Sequence, residues 1–169
     1  MARESGALTP AKLDISLSRS LILVLMDVVY LARNWKWVLK ASRGSIIPHA
    51  FRERLMLAAI SVYGCRYCTW AHTGAALRHG VGREEIAGLL AGSVEGCLDE
   101  ELVALIYAQH WADTGARPEV EAVSRLEQEY GAERAATIDA ILHMIRIGNL
   151  WGNSWDHLVH CVSCGRFGK

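Results

Sequence analysis

Glycine and proline divide the chain into segments of helical length, and this division constrains the fold more than any other feature of the sequence. No stretch of four to eight residues alternates strictly between apolar and polar side chains, as a half-buried strand would. The sequence therefore predicts an all-α fold, a helical bundle of about eight helices. The expected helices cover residues 11–32, 35–41, 48–63, 65–79, 83–91, 100–114, 119–130 and 133–150, with a short one toward His160.

The size and charge of the chain limit its class and its partners. With 169 residues, 51% of them hydrophobic, it can close one sizeable core, so we expect a single domain over residues 1–169 with a frayed tail at 165–169. Basic and acidic residues number 18 each, which gives a net charge of zero. A neutral chain has no electrostatic attraction for phosphate backbones, and we expect no nucleic-acid partner.

The most apolar stretch, residues 21–32, is too short to be a membrane span. It is interrupted by Asp27, whereas crossing a bilayer takes roughly 20 apolar residues. We expect a helix that is buried or lies at a subunit interface, and no membrane partner. Glu4 and Asp14 are unsuited to the basic leader of a signal peptide, so a cytoplasmic location is expected.

Two cysteines carry the strongest chemical signal. Cys65 and Cys68 stand three residues apart, and on one helical turn their Cα atoms lie within the roughly 4.4–6.8 Å that a disulfide requires. In a chain with five cysteines, too few for a disulfide scaffold, a close pair indicates redox chemistry or a metal. Gly64 breaks the chain just before the pair, so Cys65 is expected in the first turn, where the helix dipole favours a thiolate.

A histidine and a glutamate are expected beside this pair. His72 follows Cys68 by four residues, on the same helix face, and can serve as its base. If the preceding helix folds back at Gly64, Glu53 lies about 4.5 Å from His72 along the helix axis, close enough for hydrogen bonding. The order Glu53, His72, Cys68 then forms a proton relay. Because residues 55–60 are all apolar, this helix should be enclosed, and burial should raise the pKa of Glu53.

The spacing of these four residues resembles that of a known family. The pattern is similar to that of the alkylhydroperoxidase D family, within the carboxymuconolactone decarboxylase superfamily. Eleven residues separate Glu53 from Cys65, two separate Cys65 from Cys68, and three separate Cys68 from His72. The segments HGVGREEIAGLLAG and DEELVALIYAQ resemble its continuation. The resemblance is strong over residues 48–112, the expected redox core, and weaker over 119–157, which include GNLWGNSWD.

The resemblance implies an activity and an assembly. It implies an all-helical subunit that forms homotrimers or homohexamers, and a peroxidase or disulfide reductase that needs neither metal nor organic cofactor. Cys68 would attack a peroxide or disulfide substrate, Cys65 would resolve the product, and Glu53 and His72 would be the relay. A thiol reductant protein or a small dithiol would restore the pair. Tyr67 stands where many members have histidine, so peroxide turnover would be weaker, or the substrate a disulfide.

Other functions remain open for the same residues. The superfamily contains decarboxylases of small lactone acids, which use acid–base residues and do not need the cysteine pair. Two thiolates, an imidazole and a carboxylate are also acceptable zinc ligands, which would make the chain a zinc-stabilised binding module, although Glu53 is expected far from both sulfurs. In the plainest interpretation Glu53 pairs with Arg52 and His72 is a core histidine bonded to a carbonyl.

The remaining chemistry-bearing residues have simpler interpretations. Tyr67 and Trp70 are interpreted as packing residues, and Cys97 as a small buried hydrophobe. The tail has a second cluster, which is interpreted as free thiols, as a redox relay to the main pair, or as a metal site that would need a partner chain. Its members share one face if helical: His157, His160, Cys161 and Cys164.

Overall fold

The computed structural model describes residues 17–163, without the side chains of residues 17–19, 161 and 162. The helices are α1 Leu17–Arg33, α2 Trp35–Arg43, α3 His49–Tyr63, α4 Arg66–Arg78, α5 Arg83–Leu90, α6 Leu102–Asp113 and α7 Val120–Val162, with a 3₁₀ turn at Asp99–Glu101. Within this range there is no strand. The predicted all-α fold is confirmed.

The last helix differs from its prediction. The segments predicted at 119–130 and 133–150 are the two parts of α7, separated at Gly131, whose φ of 74° and ψ of 159° interrupt the helical geometry. Glycine adopts such a conformation without the steric cost of a Cβ atom. The second part continues to Val162 instead of ending at 150, so the predicted short helix toward His160 is its last portion. The predicted helix start at residue 11 and the tail at 165–169 lie outside the described residues.

Helix α3 is the centre of the bundle. It packs against α4, α5, α6 and α7. Its residues 55–60 are all buried, as their unbroken apolar run predicts. Each such large side chain contributes about 1.5–3 kcal/mol to stability relative to an exposed one. Glu53, which precedes this run on the same helix, is only 2% exposed.

Helix α1 turns its polar side inward. Asp27 is fully buried and accepts hydrogen bonds from Arg146 Nε at 2.7 Å and from His143 Nδ1 at 2.5 Å, both on α7. The apolar side of α1 is exposed, so the expected burial does not occur against the described residues, while an interface role stays a prediction. No helix between residues 17 and 163 has the length and apolar character needed to cross a membrane. The exposed side chains are Leu21, Ile22, Leu25, Met26, Val28 and Val29.

Candidate active site

The site is built around the sharp turn between α3 and α4. Gly64 ends α3 in the left-handed conformation, with φ at 69°, and its N–H donates to the carbonyl oxygen of Ile60 at 2.8 Å. Glycine takes this conformation without strain. Cys65 then has extended backbone geometry, with φ at −76° and ψ at 109°, and α4 begins at Arg66. The two helices form the hairpin that the sequence predicts at Gly64.

The two cysteines of this turn lie in direct contact. Both are free thiols, and their Sγ atoms are 2.7 Å apart. Cys65 is the N-cap of α4, one position before the expected first turn, and its Sγ accepts the backbone N–H of Cys68 at 3.3 Å. A sulfur at this position faces the unpaired amides of the helix N-terminus, which stabilise a negative charge.

The hydrogen bonds of the pair determine which sulfur ionises first. The hydrogen bond between the two sulfurs outweighs burial and lowers the pKa of Cys65 to about 7, with further help from the N–H groups of Cys68 and Tyr67. The same hydrogen bond, together with burial, raises the pKa of Cys68. Ionisation of the pair near neutral pH therefore favours Cys65.

The sulfur that is accessible from outside is that of Cys68, not that of Cys65. Cys65 is fully buried, whereas Cys68 is 8% exposed and opens into a groove of about 690 Å³ between α3, α4 and α7. The groove is largely apolar, and a molecule inside it reaches Cys68 before Cys65. It is lined by Met56, Tyr67, Cys68, Ala71, His72, Met144, Ile145, Gly148, Trp151, Gly152 and Trp155.

The predicted contact between Glu53 and His72 is confirmed. Oε2 of Glu53 lies 2.7 Å from Nδ1 of His72, across the α3–α4 hairpin. An ionised carboxylate accepts a hydrogen bond, so Nδ1 carries the hydrogen, and in the neutral imidazole Nε2 then has the lone pair. The His72 side chain is 24% exposed and lines the same groove as Cys68. The geometry thus provides a base on the groove wall.

The predicted rise in the pKa of Glu53 is wrong. Burial acts in that direction, but the hydrogen bonds from His72 and Arg52, together with their positive charges, outweigh it and lower the pKa. Arg52 donates to Oε1 from Nε at 3.1 Å and from Nη2 at 2.9 Å. Glu53 therefore stays ionised in its buried position. The pairing with Arg52 and the contact with His72 occur together, one on each carboxylate oxygen.

Two arrangements considered from the sequence are not assembled directly among the described side chains. The sequence places His72 within reach of the Cys68 sulfur directly or through a water; there is no direct hydrogen bond between them, although both face the groove, so a proton would pass through a bound molecule or after a small movement. In residues 17–163 no group of three or more histidine, cysteine, aspartate and glutamate side chains is arranged to hold a metal ion. The four ligands of the zinc interpretation are not assembled around one point.

Two glycines of α7, Gly148 and Gly152, lie against the cysteine pair, a contact that sequence reasoning missed. A Cβ atom at Gly152 would lie 2.6 Å from the Sγ of Cys65, closer than real contacts allow, and one at Gly148 would lie 3.9 Å from the Sγ of Cys68. Only a bare backbone at 152 lets α7 cover the buried sulfur. The available signal was the four-residue spacing of the two glycines in GNLWGNSWD, which places both on one helix face.

The rim of the groove is aromatic. Trp151 and Trp155 line the groove and are exposed. Trp70, interpreted from sequence as a packing residue, is 82% exposed and is not among the residues that line the groove. Tyr67 is fixed at the rim because Arg66 Nη2 donates to its hydroxyl oxygen at 2.8 Å and pairs with Asp156 at 2.6 Å. The groove therefore presents apolar walls with one charged pair at its edge.

The other predicted cysteine positions lie apart from this site. Cys97 is partly buried, and burial, together with the neighbouring Glu85, raises its pKa to about 11. Cys164 and the side chain of Cys161 lie outside the described residues, so the cluster with His157 and His160 stays a prediction.

Comparison with known proteins agrees with the resemblance. The model of the carboxymuconolactone decarboxylase family matches residues 30–110, which extend from the end of α1 into α6 and include Glu53, Cys65, Cys68 and His72. Searches of curated proteins and of solved structures found no match.

Proposed function

We propose that this chain, whose residues 30–110 match the model of the carboxymuconolactone decarboxylase family, is a thiol-dependent oxidoreductase that reduces a peroxide or a disulfide. One observation carries the proposal. Two sulfurs 2.7 Å apart stand at a groove, only one of them open to it, and a hydrogen-bonded Glu53–His72 pair lies on the groove wall.

The first step is attack by Cys68. Loss of its proton to the Nε2 atom of His72 gives a thiolate, which attacks the terminal oxygen of a hydroperoxide. The O–O bond breaks, Cys68 becomes a sulfenic acid, and the alkoxide takes the proton from His72 to leave as an alcohol. Glu53 stabilises the imidazolium during this transfer because its carboxylate faces Nδ1 at 2.7 Å.

The second step closes the disulfide. The Cys65 thiol, whose pKa is lowered to about 7, loses its proton and attacks the sulfur of the sulfenic acid. The S–O bond breaks, and the hydroxide takes up that proton and leaves as water. Two thiols and one hydroperoxide thus give one disulfide, one alcohol and one water. With a disulfide substrate, Cys68 would form a mixed disulfide that Cys65 displaces in the same way.

A donor dithiol completes the cycle. A thiol reductant protein or a small dithiol exchanges with the Cys65–Cys68 disulfide, which returns both thiols and leaves the donor oxidised. Such donors belong to reducing compartments, which agrees with the proposed cytoplasmic location. We also propose a homotrimer or homohexamer, supported by the apolar side of α1 that residues 17–163 leave uncovered.

Intact mass and thiol counting test the proposal. One equivalent of hydroperoxide is expected to remove two titratable thiols per chain and to lower the mass by two hydrogens, with the new disulfide mapped to Cys65 and Cys68. Cys68→Ser should abolish disulfide formation, while Cys97→Ser should leave it intact. Turnover that survives in Cys68→Ser, or an unchanged thiol count in the wild type, contradicts the proposal.

A decarboxylase is the second candidate, because the matching family bears that name and the contact between Glu53 and His72 involves neither cysteine. Such an enzyme would act on a small lactone acid by proton transfer. The double variant Cys65→Ser, Cys68→Ser separates the two functions. Decarboxylation of a lactone acid that persists in this variant favours the second candidate, and its absence in the wild type removes it.

A further inference from the structure

The conformation of the Arg52 side chain is not explained by the sequence motif of the site. Its side chain precedes the buried Glu53 in sequence and folds back on it, with Nε and Nη2 both directed at Oε1. The third nitrogen, Nη1, lies 3.4 Å from the carbonyl oxygen of Ala41, in the last turn of α2. Carbonyls at a helix C-terminus lack intrahelical partners and carry partial negative charge. The guanidinium is therefore held between two acceptors and is only 19% exposed.

The two oxygens of Glu53 have separate functions because of this arrangement. Oε1 accepts from Arg52, and Oε2 accepts from Nδ1 of His72. The charged and titratable groups that act on Glu53 are Arg52 on its own helix and His72 on α4. A carboxylate that is 2% exposed has almost no water to stabilise its charge, so its ionisation depends on these two partners.

Resting on the function proposed above, we propose that Arg52 is a positioning residue that holds Glu53 as a carboxylate and thereby fixes His72 in the tautomer whose Nε2 accepts a proton at the groove. Arg52 reaches the reaction only through Glu53 and His72 and does not line the groove. Without Arg52, the imidazole would be the only partner of a buried acid. A protonated Glu53 no longer requires a proton on Nδ1, and Nε2 then carries the hydrogen in a growing fraction of molecules.

The experiment compares three variants with the wild type. Arg52→Met removes the guanidinium, and Arg52→Lys keeps a charge but replaces the planar group that makes two bonds to one oxygen. Arg54→Met is the matched control, since Arg54 lies on the same helix and pairs with Glu85 at 2.5 Å but does not contact Glu53. Two readouts are measured for each variant: the rate of Cys68 oxidation by hydroperoxide against pH, and the ¹⁵N chemical shifts of His72, which report its tautomer.

In Arg52→Met the oxidation rate at pH 7 is expected to fall at least tenfold, its pH profile to move to higher pH, and the Nε2–H tautomer to grow. Arg52→Lys should give an intermediate result, and it also provides the test if Arg52→Met does not fold. Arg54→Met should lower thermal stability while leaving the pH profile and the tautomer unchanged. An unchanged profile and tautomer in both Arg52 variants overturns the inference, as does an equal effect in Arg54→Met.

The two readouts distinguish this inference from the proposed function. If hydroperoxide does not oxidise the wild-type thiols, the proposed function fails, whereas the tautomer of His72 still reports whether Arg52 controls it. If the wild type is oxidised and the Arg52 variants match it in both readouts, only the role of Arg52 fails.

Discussion

Gly152 of α7 lies directly against the sulfur of Cys65. A Cβ atom at this position would stand 2.6 Å from that sulfur, 3.7 Å from Cδ2 of Tyr67 and 3.8 Å from the sulfur of Cys68. The helix can cover the cysteine pair at this distance only because residue 152 has no side chain. A segment more than 80 residues from the cysteines in sequence therefore covers the pair.

Gly152→Ala is expected to slow closure of the disulfide without preventing the first oxidation. The added methyl group must displace Cys65 or α7, an overpacking that costs about 1–3 kcal/mol. With the sulfurs farther apart, the sulfenic acid of Cys68 should persist, and a dimedone-type reagent should trap it in larger yield than in the wild type.

Gly148→Ala is the matched control for this change. Its Cβ atom would meet Cys68 Sγ at 3.9 Å, an ordinary contact, and alanine favours a helix over glycine by roughly 0.5–1 kcal/mol. We expect normal disulfide formation and equal or higher thermal stability. Equal trapping of sulfenic acid in both variants would show that contact with Gly152 does not control the pair.

Glu53→Gln is expected to lower the rate of Cys68 oxidation by about 10²–10⁴, the range that proton transfer by a positioned side chain contributes. The amide can donate to Nδ1 of His72, which would place the imidazole hydrogen on Nε2 and remove the base from the groove. Stopped-flow measurement of thiol loss provides the rate. Glu84→Gln, an exposed change on α5, should leave it unaltered. A rate within twofold of wild type for Glu53→Gln would exclude the relay.

Asp27→Asn is expected to destabilise the fold by about 3–5 kcal/mol, because it leaves Arg146 buried without its ion pair. For a chain of this size the melting temperature should fall by about 6–20 °C. Thermal unfolding followed by circular dichroism measures the change. Asp113→Asn, an exposed substitution on α6, should shift it little, and a loss no greater than that control would refute a structural role for the cluster.

The same aspartate gives an acid-side pH dependence. Burial would raise its pKa, but hydrogen bonds and charge from His143 and Arg146 lower it below the ordinary 3.8. The stabilisation that ionised Asp27 provides is therefore present above pH 3.8. It is lost as the pH falls through the lower pKa that Asp27 has in the folded chain. In Asp27→Asn the loss of stability below pH 3.8 should be shallower than in the wild type.

Glu101 gives the opposite pH dependence. Burial raises its pKa from 4.5 to about 7 despite the nearby Arg54, with Glu85 adding to the rise. Between these values the folded chain holds a proton that the unfolded chain has released, so stability falls as pH rises from 4.5 to 7. Glu101→Gln should flatten this slope and be more stable than wild type at pH 8. Parallel curves of melting temperature against pH for the two proteins would contradict the assignment.

Local geometry explains what could be predicted from sequence. Cys68 and His72 lie on α4 with Cys65 as its N-cap, and Gly64 fixes the hairpin that brings Glu53 to them. The rise and period of an α-helix were therefore sufficient to predict that these residues lie together. Contacts between distant segments were not accessible in the same way. The Asp27–Arg146 pair joins residues 119 positions apart, and the apolar pattern of α1 predicted burial on the side that the structure exposes.

The pKa of Glu53 was mispredicted for a related reason. The apolar neighbours gave the correct burial, but the sign of the shift depends on whether cations face the carboxylate. Arg52 was visible in the sequence as an adjacent residue, yet adjacent residues on a helix do not face each other. Only the folded side chain shows that its guanidinium returns to Oε1.

The complete burial of Cys65 makes the oxidised pair directional. An incoming thiol can approach Cys68 alone, so every adduct should form there and expel Cys65, whose pKa of about 7 makes it a good leaving group. A bulky monothiol incubated with the oxidised protein should be found by peptide mapping on residue 68 and not on residue 65. The disulfide would then have a single electrophilic sulfur, selected by which atom α7 shields.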